Sequence, residues 1–368
     1  FFPHKTDSEG LFVAVARKVE PTTQRTPKAR KKVMQEVDKV SRKELSRWIE
    51  DAEHCTFAMV GDTIYCYSAE QFKAVQAFNF GEEFPGNTQT ACLVSPYFYE
   101  EDSYVDDLEL AAATFAEFTG MPEWIKKANY WGDLEPVTPW MEVGRRGEYH
   151  HYQWYPFINL GHFFQAKSKN EKTAAKYQKF MRLGLDEIAA RGADDPFMHG
   201  VPYLWCSNNL TSAAVTYARL YNVATGDDKY LELEMALRDW LLGCNPWGTT
   251  MIVGYPSDAD YPVEPHSSYV RVWNDLPYGG LIDGPIDRAL FLDRAGAALT
   301  KEDALAVFNN GMAVYHDDIG DYASNEPTMD GSAGLTYYFA AMEEVVPPQI
   351  MCLPSLEKKS DIMRSASS

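Results

Sequence analysis

Asp317, Asp318, Asp321 and Glu326 crowd into one stretch, YHDDIGDYASNEPTMDGSAG, at residues 315–334. Neighbouring carboxylates raise one another's proton affinity, and partial burial does the same. A carboxylic acid shifted in this way stays protonated long enough to act as a general acid. The stretch is acidic, aromatic and punctuated by glycine, which suits a loop presenting carboxylates better than a core helix. On composition alone, a solvated acidic loop or a Ca²⁺ site accounts for the same residues.

Other side chains with binding chemistry lie in long irregular segments. Trp154, Tyr155, Trp205, Trp247 and Tyr278 offer flat apolar faces of the kind that stack on pyranose rings, or that pack loops against a scaffold. His266 can donate to hydroxyl groups or serve as a loop strut. Asn208 and Asn209 can hydrogen-bond a ligand or cap the helix that follows them.

The elements that must position these residues read as helices. Apolar stripes predict helices over about 105–118, 155–168, 172–191, 209–224, 229–242, 301–313 and 334–345. Gly192 and Thr225-Gly226 are stop signals, and Asp227 or Asp228 is the expected cap of the 229–242 helix. Few windows alternate as strands do. The connecting segments 84–104, 131–154, 196–208 and 244–288 are long and rich in Pro, Gly, Trp and Tyr, as functional surface loops are. No fixed-period repeat is present, which disfavours the common helical solenoids. Residues 25–47, the main concentration of Lys and Arg, read as a solvated amphipathic helix with paired charges.

The whole chain sets limits. Its 368 residues, 45% hydrophobic and 14% aromatic, support a large core and exclude a disordered chain. A net charge of -19 argues against nucleic acid as a partner. The six cysteines form no C-x-x-C pair and show no zinc spacing. No apolar run reaches membrane-spanning length. No signal peptide is visible, but the chain opens with Phe1 rather than Met, so this says nothing about export. The organisation read from these patterns is a divergent or partial helical region at 1–70, a catalytic domain at 71–346 and a peripheral tail at 347–368.

The spacing around Glu326 is more specific than its composition. Tyr315-x-Asp317, then Tyr322, Glu326 and Thr328, closely resembles the C-terminal active-site signature of glycoside hydrolase family 9. Further segments resemble that family in the same order: VDDLELAAATFAEFTG (105–120), GVPYLWCSNNLTSAAVTYARLYNVATGDDKYLE (200–232), DWLLGCNPWGTTMIVGYP (239–256), YPVEPH (261–266) and GGLIDGP (279–285). The segments 95–107 and 152–162 are similar to a long-loop bacterial branch. The resemblance covers roughly residues 85–343.

The resemblance implies an all-α fold, the (α/α)6 toroid with long cleft-forming loops. It also implies inverting hydrolysis of a β-1,4-linked glucan or related oligosaccharide. Glu326 then protonates the leaving oxygen, and Asp317 and Asp321 tune or orient it. His266, Trp205, Tyr322, Trp154 and Asn208 are the expected substrate contacts. Ser332 and the pair Ser267-Ser268 depart from the family pattern, where Asn and a His/Arg pair are usual. Ser103, Asp106 and Asp107 resemble a calcium-binding segment, which implies a structural calcium. Acids favoured at a helix start explain the same residues equally well. No other cofactor is required. Polysaccharide substrates imply a secreted or periplasmic location.

Inversion needs a second carboxylate to activate water on the opposite face of the sugar. In the family this base belongs to a D-A-G-D motif, and no D-A-G-D occurs in the 368 residues. The expectation is that the chain starts downstream of that motif and that the toroid is incomplete at its N-terminus. An N-terminal segment or a second chain would then complete it, because exposed helix faces cost roughly 25 cal/mol per Å². The competing reading is a non-catalytic carbohydrate-binding protein on the same scaffold.

Overall fold

The structure, a computed structural model, describes residues 35–36, 43–47, 49, 52–60, 63–86, 103–135, 160–295, 297–309 and 311–345. Its contacts divide the chain into two compact units, Phe1–Tyr104 and Val105–Ser368.

The first unit holds a small antiparallel sheet. β1 (Gln35–Glu36) pairs with β2 (Cys55–Val60), which pairs with β3 (Thr63–Ser68) in a tight hairpin register from Cys55↔Ser68 to Val60↔Thr63. Phe57 and Tyr67 are buried. Ser68 ends β3 and begins helix α1 (Ala69–Glu83) through a capping box: its hydroxyl accepts from Gln71 N, and Gln71 Oε1 accepts from Ser68 N. Of the helix expected over 25–47, Gln35–Glu36 is a strand instead, 43–45 are helical, and 25–34 and 37–42 lie outside the described residues. The charge pattern there fits either element, and the β2 edge selects the strand.

The second unit is helical. α2 (Val105–Thr119) starts with Asp106 and Asp107 and buries Leu108, Ala112 and Ala113. α3 (Pro122–Gly132) opens with proline in its first turn, where no backbone donor is lost, and buries Trp124, Ala128 and Trp131. α4 (Leu160–Ala166) follows. α5 (Glu171–Gly192) is capped by Asn170, whose side chain accepts from Thr173 N at 3.1 Å. Its inward stripe is Tyr177, Met181, Leu185 and Ile188, and each such side chain is worth about 1.5–3 kcal/mol when buried.

α6 (Ser207–Thr225) is the central element, buried at every position from Ser207 to Tyr221. Gly226 ends it at φ 70°, a left-handed conformation that glycine adopts freely. α7 (Leu231–Leu241) and α8 (Met329–Val345) pack on α6, as does α5, while α2, α3 and α4 pack on one another.

Two expected features differ. Residues 304–308 form turns rather than the helix read over 301–313. Asp303 Oδ1 accepts Leu305 N at 2.8 Å, and its Oδ2 holds Asn309 Nδ2 at 2.8 Å, so side chains take the place of helical bonds. α7 has Tyr230 at its N-cap with no side-chain cap. Asp227 instead accepts from Tyr221 Oη and Lys229 N.

Short strand pairs fasten the acidic loop to the rest. β4 (Leu281–Ile282) pairs antiparallel with β7 (Pro327–Thr328), and β5 (Ile286–Asp287) with β6 (Ala313–Val314). Both ends of the 315–326 segment are therefore tied to the 281–287 loop.

One buried ion pair locks three helices. Arg219 of α6 meets Glu234 of α7 at 2.5 Å, and Tyr338 of α8 donates to the same carboxylate at 3.2 Å. Replacing Glu234 by Gln leaves the Arg219 charge uncompensated in the core. The expected cost is about 3–5 kcal/mol, read as a lower urea midpoint; an unchanged midpoint would show that the pair is dispensable.

Candidate active site

Residues 315–326 fold as a loop that spends most of its acids on backbone donors, and the rest of the 315–334 stretch enters β7 and α8. Asp321 is fully buried. Its Oδ1 accepts Ala323 N (2.8 Å) and Ser324 N (3.1 Å), and its Oδ2 accepts the Ser324 hydroxyl (2.6 Å) and pairs with His316 Nδ1 (2.7 Å). Asp318, also buried, accepts from Thr300 N, the Thr300 hydroxyl, Lys301 N and Gly320 N. Burial alone would raise the Asp318 carboxyl, but these donors outweigh it and hold it below the usual carboxylate range. Asp317 reaches across to the 261–266 loop, where its oxygens accept Val263 N (2.9 Å) and Glu264 N (2.8 Å).

Glu326 differs. It sits just before β7, its side chain reaches solvent, and its carboxyl accepts no hydrogen bond among the described residues. Its backbone is fixed, because Asp283 N donates to Glu326 O at 2.8 Å. Partial burial raises its pKa, and the charge of His266 opposes that rise.

His266 is half-buried. Its backbone N donates to Asn325 O (2.9 Å), and its Nδ1 lies 2.6 Å from Ile319 O. A carbonyl only accepts, so Nδ1 carries the proton, and Nε2 is left for other chemistry. Tyr322 lies between two rings, with centroids 5.9 Å from His266 and 6.1 Å from Trp205. Trp205 is 37% exposed. It precedes Cys206, which adopts a left-handed φ of 57° at the start of α6. That conformation costs a non-glycine residue of order 1–3 kcal/mol and marks a constrained turn.

The structure thus gathers Glu326, His266, Tyr322 and Trp205, and places Asp317 and Asp321 as struts around them. Asn208 has no exposed surface. Its amide donates to Ile282 O at 2.9 Å, which makes it a brace for the 281–284 loop rather than a ligand contact. Asn209 is likewise buried and accepts from the Thr328 hydroxyl at 2.8 Å. Trp247 is core, its Nε1 held by Asn309. Tyr278 is exposed. Trp154 and Tyr155 lie outside the described residues. Ser332 bridges the strands, accepting from Leu281 N (2.9 Å) and donating to Thr328 O (2.6 Å), so its hydroxyl supplies the local bonding. Ser103 falls in the first unit and Asp106 and Asp107 in the second.

The sequence reading missed Asn325. Its amide donates to Glu264 O (2.9 Å) and Asp317 Oδ1 (3.3 Å), and its Oδ1 accepts from Tyr315 Oη (3.2 Å). An amide immediately before the key glutamate in a loop of acids was the available signal.

A mostly helical scaffold with little sheet, together with the likeness to the solved structures that follow, places the chain among the (α/α)6 toroids. The structure resembles a thermostable endoglucanase from Alicyclobacillus acidocaldarius (TM-score 0.55, 19% identity, 75% of this chain and 50% of that one). It also resembles a family 9 hydrolase of Bacteroides ovatus (0.55, 18%, 75% and 48%). A third likeness is the endoglucanase of the termite Nasutitermes takasagoensis (0.52, 19%, 75% and 59%). Residues 65–339 match the sequence profile of glycosyl hydrolase family 9, and the chain belongs to that family. In sequence it is 25% identical over 227 residues to Endoglucanase 15 of Arabidopsis thaliana, covering 55% of this chain and 44% of that protein. The chain therefore spans about half the length of these relatives.

The Asp318 clamp has a pH signature. Its folded pKa is depressed, so its contribution is present above the unfolded carboxylate pKa and is lost as pH falls through the folded one. Asp318→Asn is expected to melt lower than the native chain at neutral pH. The gap between them narrows below about pH 4; a gap independent of pH would remove the clamp from the stability of the loop.

Proposed function

We propose that the chain is an inverting glycoside hydrolase acting on β-1,4-linked glucan or related oligosaccharides, with Glu326 as its general acid. The observation that carries this is the state of Glu326. It is the acid of its loop left unspent on backbone donors, with a raised pKa, an imidazole whose charge reaches it, and the rings of Tyr322 and Trp205 extending from that imidazole. In this reading Glu326 donates its proton to the leaving oxygen. His266 Nε2 meets a sugar hydroxyl near the scissile bond, and Trp205 and Tyr322 stack on the ring. Asp317 and Asp321 act through positioning. In this reading the catalytic domain is the one expected at 71–346, whose site residues here all lie in the second unit, and the substrate class implies a site outside the cytoplasm.

The second carboxylate is the open half of the reaction. No D-A-G-D motif lies within the 368 residues. That observation favours, as a second reading, a chain that binds saccharide without turning it over by itself. Both readings answer to one experiment on soluble β-1,4-glucan. Under the first, Glu326→Gln lowers kcat by about 10²–10⁴-fold and leaves binding intact. Proton NMR of the first product shows the α anomer. Binding without turnover in the native chain selects the second reading; turnover that survives Glu326→Gln would sink the first.

The pH profile follows from the sign of the shift. A general acid must be protonated, so activity falls as pH rises through the Glu326 pKa. Removing the opposing charge with His266→Gln should move that alkaline limb to higher pH. A limb that stays in place or moves down would show that His266 does not act on Glu326.

A further inference from the structure

Away from this loop, three ionisable side chains meet in the interior of the second unit. Glu109 comes from α2, Glu135 follows the end of α3, and His162 lies on α4. All three are buried. One ligand atom from each lies within 4.8 Å of the others. His162 Nδ1 is 2.5 Å from Glu109 Oε1 and 3.6 Å from Glu135 Oε2.

The pocket is shaped around the carboxyl of Glu109. A Cβ at Gly161 would lie 2.9 Å from its Cδ, and a Cβ at Gly132 would lie equally close, so two helices yield their side chains to make room. Gln165 Nε2 donates to Glu109 Oε1 at 2.5 Å. Glu109 Oε2 and Gln165 Oε1, both fully enclosed, find no hydrogen-bond partner among the described residues. An orphaned carboxylate oxygen in the interior costs at least 1–3 kcal/mol.

We propose that Glu109, Glu135 and His162 form a buried site for a divalent transition cation of the Zn²⁺ class, which ties α2, α3 and α4 together. The donor set decides the class. An imidazole nitrogen with two carboxylates suits Zn²⁺ and its neighbours. Ca²⁺ takes six to eight oxygens, and Mg²⁺ keeps several waters, which an enclosed nitrogen-bearing pocket does not supply. Four-coordinate Zn²⁺ with ligands near 2.0–2.2 Å sets its donors about 3.3 Å apart, so donors within 4.8 Å close on the ion with small side-chain movements. Charge agrees, since a dication balances two carboxylates. Without one, burial keeps both acids above their usual range: Glu109 is pushed up to about 8 against opposing hydrogen bonds from Glu135 and Gln165, and the charge of Glu109 raises Glu135 further. The site is distinct from the Ser103, Asp106 and Asp107 segment and takes no part in the chemistry proposed for Glu326.

The competing arrangement is a carboxyl–carboxylate pair sharing a proton beside the imidazole. Refolding the full chain in EDTA and then in excess Zn²⁺ or Co²⁺ separates the two. The expected result is one Zn²⁺ retained per chain after gel filtration, a higher Tm than in EDTA, and the visible spectrum of four-coordinate Co²⁺. Glu135→Gln and His162→Gln each weaken Zn²⁺ binding by at least about tenfold, while Asp106→Asn binds as the native chain does. Equal Tm with Zn²⁺ and EDTA and no retained metal would overturn the site in favour of the proton-sharing pair. Stabilisation by Ca²⁺ but not Zn²⁺ would overturn it as well. The native-chain measurements decide the question even if a variant fails to fold.

Discussion

The whole site hangs on the amide of Asn325. One side chain spans three segments: it donates to Glu264 O and Asp317 Oδ1 and accepts from Tyr315 Oη, while its backbone carbonyl receives His266 N. The 261–266 loop is thereby held against the residue that precedes Glu326. Around this hub the aspartates act as receptors for N–H groups that a loop cannot satisfy by itself. Asp317 takes two from the 263–264 backbone, Asp318 takes those of Thr300, Lys301 and Gly320, and Asp321 takes those of Ala323 and Ser324. A charged acceptor forms stronger bonds than a neutral one, so a loop of acids can be stiff.

The same logic separates what was legible in the sequence from what was not. The helices at 105–119, 171–192 and 207–225 carry an apolar stripe or a glycine stop, and these are local signals that local physics reads. The 301–313 segment carries a helical pattern too. There Asp303 and Asn309 have better partners than the helix offers: Asn309 Oδ1 accepts from Trp247 Nε1, which is distant in sequence, and from Tyr315 N beyond the segment's end. The strand at Gln35–Glu36 exists because β2 offers an edge, which no local window contains.

Site residues follow a parallel rule. Glu326 was legible because its spacing from two tyrosines, an aspartate and a threonine is a linear pattern. Asn208 and Trp247 looked as suitable for binding as Trp205 did, since residue type is all that the sequence offers. Burial distinguishes them, and burial is a property of the packed α6 and of the 281–284 loop that folds over it. The Glu109, Glu135 and His162 cluster was invisible for the same reason. Its members are 26 and 27 residues apart along the chain (135 − 109 and 162 − 135), and each taken alone is an ordinary polar residue on or beside a helix.

The cause of the Glu326 shift is also different from the one its composition suggests. Crowded acids should push one another up, but the aspartates of this loop are spent on donors, and partial burial is what raises Glu326. Beneath it lies a further acid, Asp283, which is nearly fully buried and driven well above its usual range by that burial. The Cys206 thiol beside it, raised first by burial and then by Asp283, stays un-ionised at neutral pH. Glu326 itself responds to burial first and then to His266. Its proton affinity is then set by two adjustable quantities, its own exposure and the charge on His266. A saccharide covering the site would change the first by displacing water, and so would strengthen the hold of Glu326 on its proton when a leaving oxygen is in place to receive it.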